Sequence, residues 1–303
     1  MMTGVKTPKA LVAPPVRTGA ERLPDGRFLG WAEWGPADGT PVLFSPGAAT
    51  SRHLGFGAEA VHDLGVRLIS LDRPGLGAST PAPGRTLQDF AEDTRILIER
   101  KGLDRPPAMV GNSQGAPFAL ACAATRTVNA LALVSAADEI SEPRFSDVLP
   151  RGLQQLTNLC VRAPEEAGDF FAGFTPRMMW DMVMGNSPAC DLAVYQQEPF
   201  AGAYRKALEE GFSQGAADGY ARDAVLAMGR WGLDLAAIGI PVDVWYGAED
   251  RSHSPDQGAG LARRIPGAVR HIVPGIGGAV LWTAADQIFR TLLDRSGKPT
   301  RQQ

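Results

Sequence analysis

Ser113 stands in the stretch Ala108–Gly115, AMVGNSQG, where a short apolar run delivers it into Gly-x-Ser-x-Gly immediately before a helix-compatible segment. That pattern predicts a nucleophile elbow, a sharp strand-to-helix turn with the serine at its tip in a strained backbone conformation. Side chains two residues either side of the serine would collide in such a turn, which accounts for Gly111 and Gly115. A hydroxyl held at the mouth of a sheet can add to a carbonyl once a base removes its proton. A serine that only capped the following helix would not need glycine on both flanks.

The elements needed to position this serine can be read along the chain. Two strands around the turn Pro24-Asp25-Gly26, the second over Arg27–Trp34, precede a short buried-type run at Pro41–Phe44. Strands and helices then alternate: an apolar run over Val66–Leu71, helical spacing over Leu87–Lys101, the run into the elbow, an alanine-rich helix over Gln114–Ala124 and a continuous apolar run at Ala130–Val134. Runs of this kind suit strands covered by helices on both faces, so the expected fold is a mostly parallel, doubly wound α/β sheet. From about Ser141 to Trp231 the spacing is helical with no convincing strand, which predicts an inserted helical cap. Its segment Phe170–Met184, FFAGFTPRMMWDMVM, suits either the inner face of a lid or a helical mini-core. Strand and helix alternation resumes with Pro241–Tyr246, a helix around Gln257–Arg264, a strand Val269–Val273 and a closing helix Ala279–Leu293. The expected organisation is therefore a mobile arm over residues 1–16, a core over 17–140 and 232–303, and a cap over 141–231.

Composition excludes some classes of function. The net charge is −3, and Arg73, Arg85, Arg95 and Arg100 are scattered among acids, so a nucleic-acid partner is not expected. The three cysteines, Cys122, Cys160 and Cys190, have no metal-type spacing and read as small hydrophobes in a reducing compartment. No segment approaches the length of a membrane span, and the N-terminal stretch has no continuous apolar core, so a soluble cytoplasmic protein with no membrane partner is expected. Gly75-Leu76-Gly77 is too short for a dinucleotide fingerprint, and neither a metal nor an organic cofactor is expected.

Four motifs in order resemble the α/β-hydrolase superfamily, from about Arg27 to Leu293: FSPGAATSR (Phe44–Arg52) looks like the oxyanion loop, LDRPGLGAS (Leu71–Ser79) like the loop after the fourth strand, then GNSQG itself, and WYGAEDRSHSP (Trp245–Pro255) like the acid loop. The resemblance implies Ser113 as nucleophile and an oxyanion hole from the N–H of Gln114 and one from the loop after the third strand. The His-Gly pair common in that loop is replaced by Ser45-Pro46, and proline cannot donate, so the second donor is expected at Gly47, with Ala48 the alternative. The acid is expected at Asp250, with Glu249 and Asp138 as other carboxylates near strand ends; Asp72 is expected to fix its own loop. The histidine position of the family aligns with Ile276, in PGIGGAVLW, and isoleucine has no lone pair to take a proton.

The chain has four histidines. His271 falls in the last strand at the wrong end of the sheet, and His62 falls in a helix. His53 follows the oxyanion loop, whereas His253, three residues beyond Asp250, lies on a loop that already faces the site and is the preferred base; capping of the next helix is its competing role. Three functions stay open. One is hydrolysis of a small, largely apolar ester, thioester or lactone bound under the cap; another is a cyclase, lyase or isomerase reaction that uses only the oxyanion hole; the third is ligand binding without catalysis.

Overall fold

The computed structural model describes residues 11–297. Residues 1–10 of the expected arm lie outside that range. Its described part is not loose: Val12 is buried, and the Ala13 carbonyl accepts the Trp34 indole N–H at 2.8 Å. The apolar pair Leu11 and Val12 packs on the core ahead of the first strand, so order begins earlier than the proline-rich composition suggested.

Eight strands make one sheet: β1 (Arg17–Arg22), β2 (Phe28–Trp34), β3 (Thr40–Ser45), β4 (Val66–Leu71), β5 (Ala108–Asn112), β6 (Ala130–Val134), β7 (Val242–Gly247) and β8 (Val269–Val273). Their spatial order is β1-β2-β4-β3-β5-β6-β7-β8. β2 pairs antiparallel with β1 and β4, and the remaining pairs are parallel. Every residue of β5, β6 and β7 is buried, as their unbroken apolar runs require. Successive side chains alternate between two cores: Val42, Phe44, Ala108 and Val110 point into one, Leu43 and Met109 into the other.

Around the sheet lie α1 (Ala58–Asp63), α2 (Leu87–Arg100) and α3 (Ala116–Ala124). A capping box starts α2, with Thr86 accepting from the Asp89 N–H and the Asp89 carboxylate accepting from the Thr86 N–H. Its apolar face, Leu87, Phe90, Ala91, Leu97 and Ile98, packs beside α3, where Phe90 meets Phe118 edge-on at 5.4 Å. The chain between β6 and β7 holds α4 (Arg151–Arg162), α5 (Pro164–Ala172), α6 (Pro176–Asn186), α7 (Ala189–Tyr195), α8 (Phe200–Gly211) and α9 (Arg222–Met228), and no strand among the described residues. After β7 come α10 (Ala259–Arg264), then α11 (Val280–Thr283) and α12 (Ala285–Ser296) beyond β8. The closing helix is thus two helices, not one. The Ala279 carbonyl takes the Trp282 and Thr283 N–H groups and the Thr283 hydroxyl, which tightens the first turn, and Ala284 leaves helical geometry before α12 starts.

From β3 the chain steps outward to β4, then returns to place β5 on the other flank of β3. A crevice opens beyond the carboxyl ends of strands at such a reversal. The loop after β3 and the turn after β5 therefore face each other across it.

On the antiparallel side of the sheet, Glu33 is almost fully buried and bonds Arg17, Arg67 and Lys101 at 2.7–2.8 Å. Burial pushes its carboxyl up, but the hydrogen bonds from Arg67, Lys101 and Arg17 outweigh that and hold it down at about 2. The stability it contributes is present above its ordinary value of 4.5 and is lost as pH falls through about 2. Glu33→Gln should lower the urea midpoint at pH 6, and the gap to wild type should close between pH 4.5 and 2, as equilibrium unfolding at stepped pH would show.

Candidate active site

Ser113 sits at the turn between β5 and α3 with φ at +49°, a left-handed conformation that costs a non-glycine residue roughly 1–3 kcal/mol. The surroundings enforce it. A Cβ on Gly115 would lie 2.2 Å from the Ser45 carbonyl oxygen and 2.4 Å from that of Pro46, and one on Gly111 would lie 2.7 Å from the Ala119 Cβ. The Ser113 carbonyl is tied to the Ala137 N–H at 2.9 Å, and Asn112 Nδ2 donates to the Val134 carbonyl at 3.0 Å, so the turn is anchored to β6 on both sides of the serine.

His253 Nε2 lies 3.0 Å from Ser113 Oγ, and His253 Nδ1 lies 2.9 Å and 3.0 Å from the two oxygens of Asp250. The carboxylate of Asp250 also accepts the Ser252 N–H at 3.0 Å and the His253 N–H at 3.3 Å, which folds the loop after β7 back on itself. That local turn lets an acid and an imidazole three residues apart meet without a second strand end. Burial pushes the Asp250 carboxyl up, but the charge of His253 and the hydrogen bonds from it outweigh burial and leave it lowered. Burial likewise opposes charge on His253, and the Asp250 carboxylate outweighs it, so the imidazole is raised above its ordinary 6.5. With Nδ1–H donated to Asp250, the Nε2 lone pair is free to accept the Ser113 proton, an arrangement able to activate the hydroxyl as a nucleophile.

The other residues singled out in the sequence fall elsewhere. Ile276 is buried, and its carbonyl accepts the Glu249 N–H at 2.9 Å. His53 does not reach the site, because its Nδ1 bonds Glu210 on α8. His62 is exposed on α1, and His271 bonds Asp243 at 2.7 Å and stacks on Trp245. Glu249 is exposed, and Asp138 is occupied by Arg144 at 2.9 Å. Asp72 accepts from the Arg52 N–H and guanidinium and from the Ala78 N–H, fixing its own loop.

Gly47 borders the serine: a Cβ there would lie 3.6 Å from the Ser113 Cβ. The buried Arg73 donates to the Pro46 and Gly47 carbonyls at 2.5 and 2.9 Å and is held by Asp223 on α9 at 2.6 Å. Because the C=O and N–H of a trans peptide point in opposite directions, drawing the Pro46 carbonyl to Arg73 turns the Gly47 N–H the other way. That N–H makes no hydrogen bond among the described residues.

A cavity of about 600 Å³ opens over these atoms. Its apolar wall includes Phe44 and Trp282 from the core, Leu149 from the stretch after β6, and Met179, Met182 and Val183 from α6. The aromatic half of the Phe170–Met184 segment does something different: Phe171 and Phe174 pack with Tyr220 in a cluster of their own. Among the described residues no group of three or more His, Cys, Asp or Glu could hold a metal ion, and no helix is long and apolar enough to cross a membrane.

The family model described as the alpha/beta hydrolase fold matches residues 40–284. The chain belongs to this family. Among solved structures, an esterase from Exiguobacterium antarcticum matches with TM-score 0.68 and 16% identity, over 92% of this chain and 99% of that one. An esterase from a Rhodococcus species gives 0.64 and 21%, over 93% and 99%, and the enol-lactonase from Burkholderia xenovorans 0.63 and 19%, over 92% and 100%. At these identities the likeness is one of fold. No curated protein matches the sequence.

Within this α/β-hydrolase chain, two residues near the site carried no signal of their role in the sequence. Arg73 is one, since nothing in its motif announces the carbonyls it grips. Asp191 on α7 is the other: it lines the cavity, and its carboxylate is buried against the loop that follows β8. Removing the cation from the Arg73–Asp223 pair should be strongly destabilising, because a buried carboxylate loses a partner. Arg73→Met is expected to cost about 3 kcal/mol in urea unfolding, with Arg85, 2.6 Å from Asp223, limiting the loss.

Proposed function

We propose that this α/β hydrolase cleaves a small, largely apolar ester, thioester or lactone through an acyl-enzyme on Ser113. The observation that carries the reading is the continuous hydrogen-bond path from Ser113 Oγ through His253 to Asp250. His253 takes the Ser113 proton as Oγ bonds to the substrate carbonyl carbon. The developing oxyanion is met by the N–H groups of Gln114 and Gly47. Collapse expels the alkoxide or thiolate, which receives the proton from His253; in a lactone it stays tethered as a hydroxyl. Water then adds to the acyl carbon with His253 again as base, and Ser113 leaves with the proton returned. Asp250 holds the imidazole tautomer and stabilises the imidazolium formed at each addition.

The cavity favours an apolar body of small-molecule size, held under helices of the segment between β6 and β7 acting as a cap. Esterases and an enol-lactonase among the structures of like fold agree with an acyl substrate of this kind. The cyclase, lyase and binding-only readings depended on a missing base, and a histidine within hydrogen-bond reach of the serine takes away their main support.

Ser113→Ala should lower kcat on activated acyl esters by about 10⁴-fold or more while the circular dichroism spectrum and Tm stay close to wild type. A folded variant with undiminished turnover would refute the proposal. Because His253 must be neutral to accept the proton and is raised above 6.5, kcat/KM of the wild type should fall as pH drops, with its midpoint above 6.5. Initial rates between pH 5 and 9 measure it.

A further inference from the structure

Asp191 is a buried carboxylate with no cationic partner among the described residues. Its oxygens are taken up instead by three successive backbone amides of the loop after β8. Oδ1 accepts the Gly277 N–H at 2.9 Å and the Ala279 N–H at 3.2 Å, and Oδ2 accepts the Gly278 N–H at 2.7 Å. The approach is close enough that a Cβ on Gly277 would lie 2.5 Å from Asp191 Oδ2. Gly278 is gripped from its other side as well, since its carbonyl accepts the Ser135 hydroxyl at 3.2 Å.

The peptide fixed in this way stands against the imidazole. A Cβ on Gly278 would lie 3.0 Å from His253 Cε1, in contact with the ring edge between its two nitrogens. Gly278 and Asp191 line the same cavity as His253 and Ser113. We infer that Asp191 is a positioning residue for His253: it clamps the 277–279 amides so that Gly278 backs the imidazole, and its negative charge favours the imidazolium formed when the Ser113 proton is taken.

The inference rests on the reading of His253 as the base. The groups facing the imidazole are Asp250 from its own loop, Asp191 and Tyr195 from α7, and Ser113 from the elbow, with Arg251 and Ser252 adjacent in the chain. Those facing Asp191 are Cys190 and Tyr195 on α7, Asp250 and His253. Burial raises Tyr195 well above its ordinary value, so it stays neutral and Asp191 is the second negative charge near the ring. Burial leaves the Asp191 carboxyl raised above its ordinary value, although the three amides that hold its charged form oppose the rise.

Asp191→Asn keeps the shape and removes the charge. Its expected result is a kcat lower by about 10-fold with KM changed less than about 2-fold, and an acid limb of kcat/KM moved at least about half a unit to lower pH. A strut that only tacks α7 to the core would lower Tm and leave the limb in place, and that result would overturn the inference. Asp191→Glu keeps the charge but displaces the amides; a fall in kcat with the limb unmoved is expected, and an unchanged kcat would overturn the positioning role even where the Asn variant fails to fold. NMR titration of the His253 ring nitrogens in wild type and Asp191→Asn gives the same shift without turnover. It therefore decides the role of Asp191 separately from the hydrolase reading, which stands or falls on labelling of Ser113 by a fluorophosphonate.

Discussion

The constraint on which the site depends is a close passage of two backbones, where Gly115 runs under the carbonyls of Ser45 and Pro46. No side chain fits there, so the turn after β5 and the loop after β3 can meet only through glycine, and their meeting puts Gly47 beside Ser113. The strained φ of Ser113 follows from the same contact. With the turn pressed against β3 on one side and tied through Asn112 and Ala137 to β6 on the other, the chain has no relaxed route from strand to helix. The strain is held by the sheet register, which pairs Ser45 with Gly111 and Asn112 with Val134.

Arg73 extends that constraint outward. It leaves the carboxyl end of β4, crosses under the loop after β3 to take two of its carbonyls, and ends on Asp223 in α9. The guanidinium is fully buried, lies 5.0 Å above the Phe118 ring and shares Asp223 with Arg85. One planar cation thus couples the loop beside the serine, the first helix after it and α9, a role lysine could not fill with a single point of charge.

Much of this was legible in the sequence because it depends on local pattern. The apolar runs gave the parallel strands, the two glycines gave the elbow, and the acid-loop motif carried Asp250 and His253 together on a loop expected to face the serine. Other features were hidden because their partners are backbone atoms, which carry no residue signature. Asp191 binds three amides from a loop far along the chain, and Arg73 binds two carbonyls; neither contact leaves a mark in composition or periodicity. The split between α11 and α12 was hidden for a related reason, since the apolar spacing continues across the one residue, Ala284, whose backbone leaves helical geometry. The packing of Leu11 and Val12 was hidden because they are two apolar residues in a proline-rich stretch with little apolar periodicity.

Pairing a carboxylate and an imidazole on one loop changes what the edge of the sheet must do. When an imidazole is delivered from the end of β8 and its carboxylate from the end of β7, their distance depends on how those two strands are registered. Here Asp250 and His253 are paired by a turn within the β7 loop, and β8 is left with a supporting task. The strand reflects that freedom: none of its residues is fully buried, Val269 and Ile272 are exposed, and His271 is engaged with Asp243 and Trp245. The loop beyond it still has to fill the space beside the imidazole, and it does so with backbone. Ile276 seals the interior, Gly277 and Gly278 let the chain approach both Asp191 and the His253 ring, and a Cβ on Gly247 would meet the Ile276 and Gly277 carbonyls at 2.2 and 2.3 Å. An imidazole at position 276 would bring a second polar ring to a site where an apolar side chain is now packed. The buried isoleucine leaves no polar ring to satisfy there, and burying an imidazole without a partner would be costly.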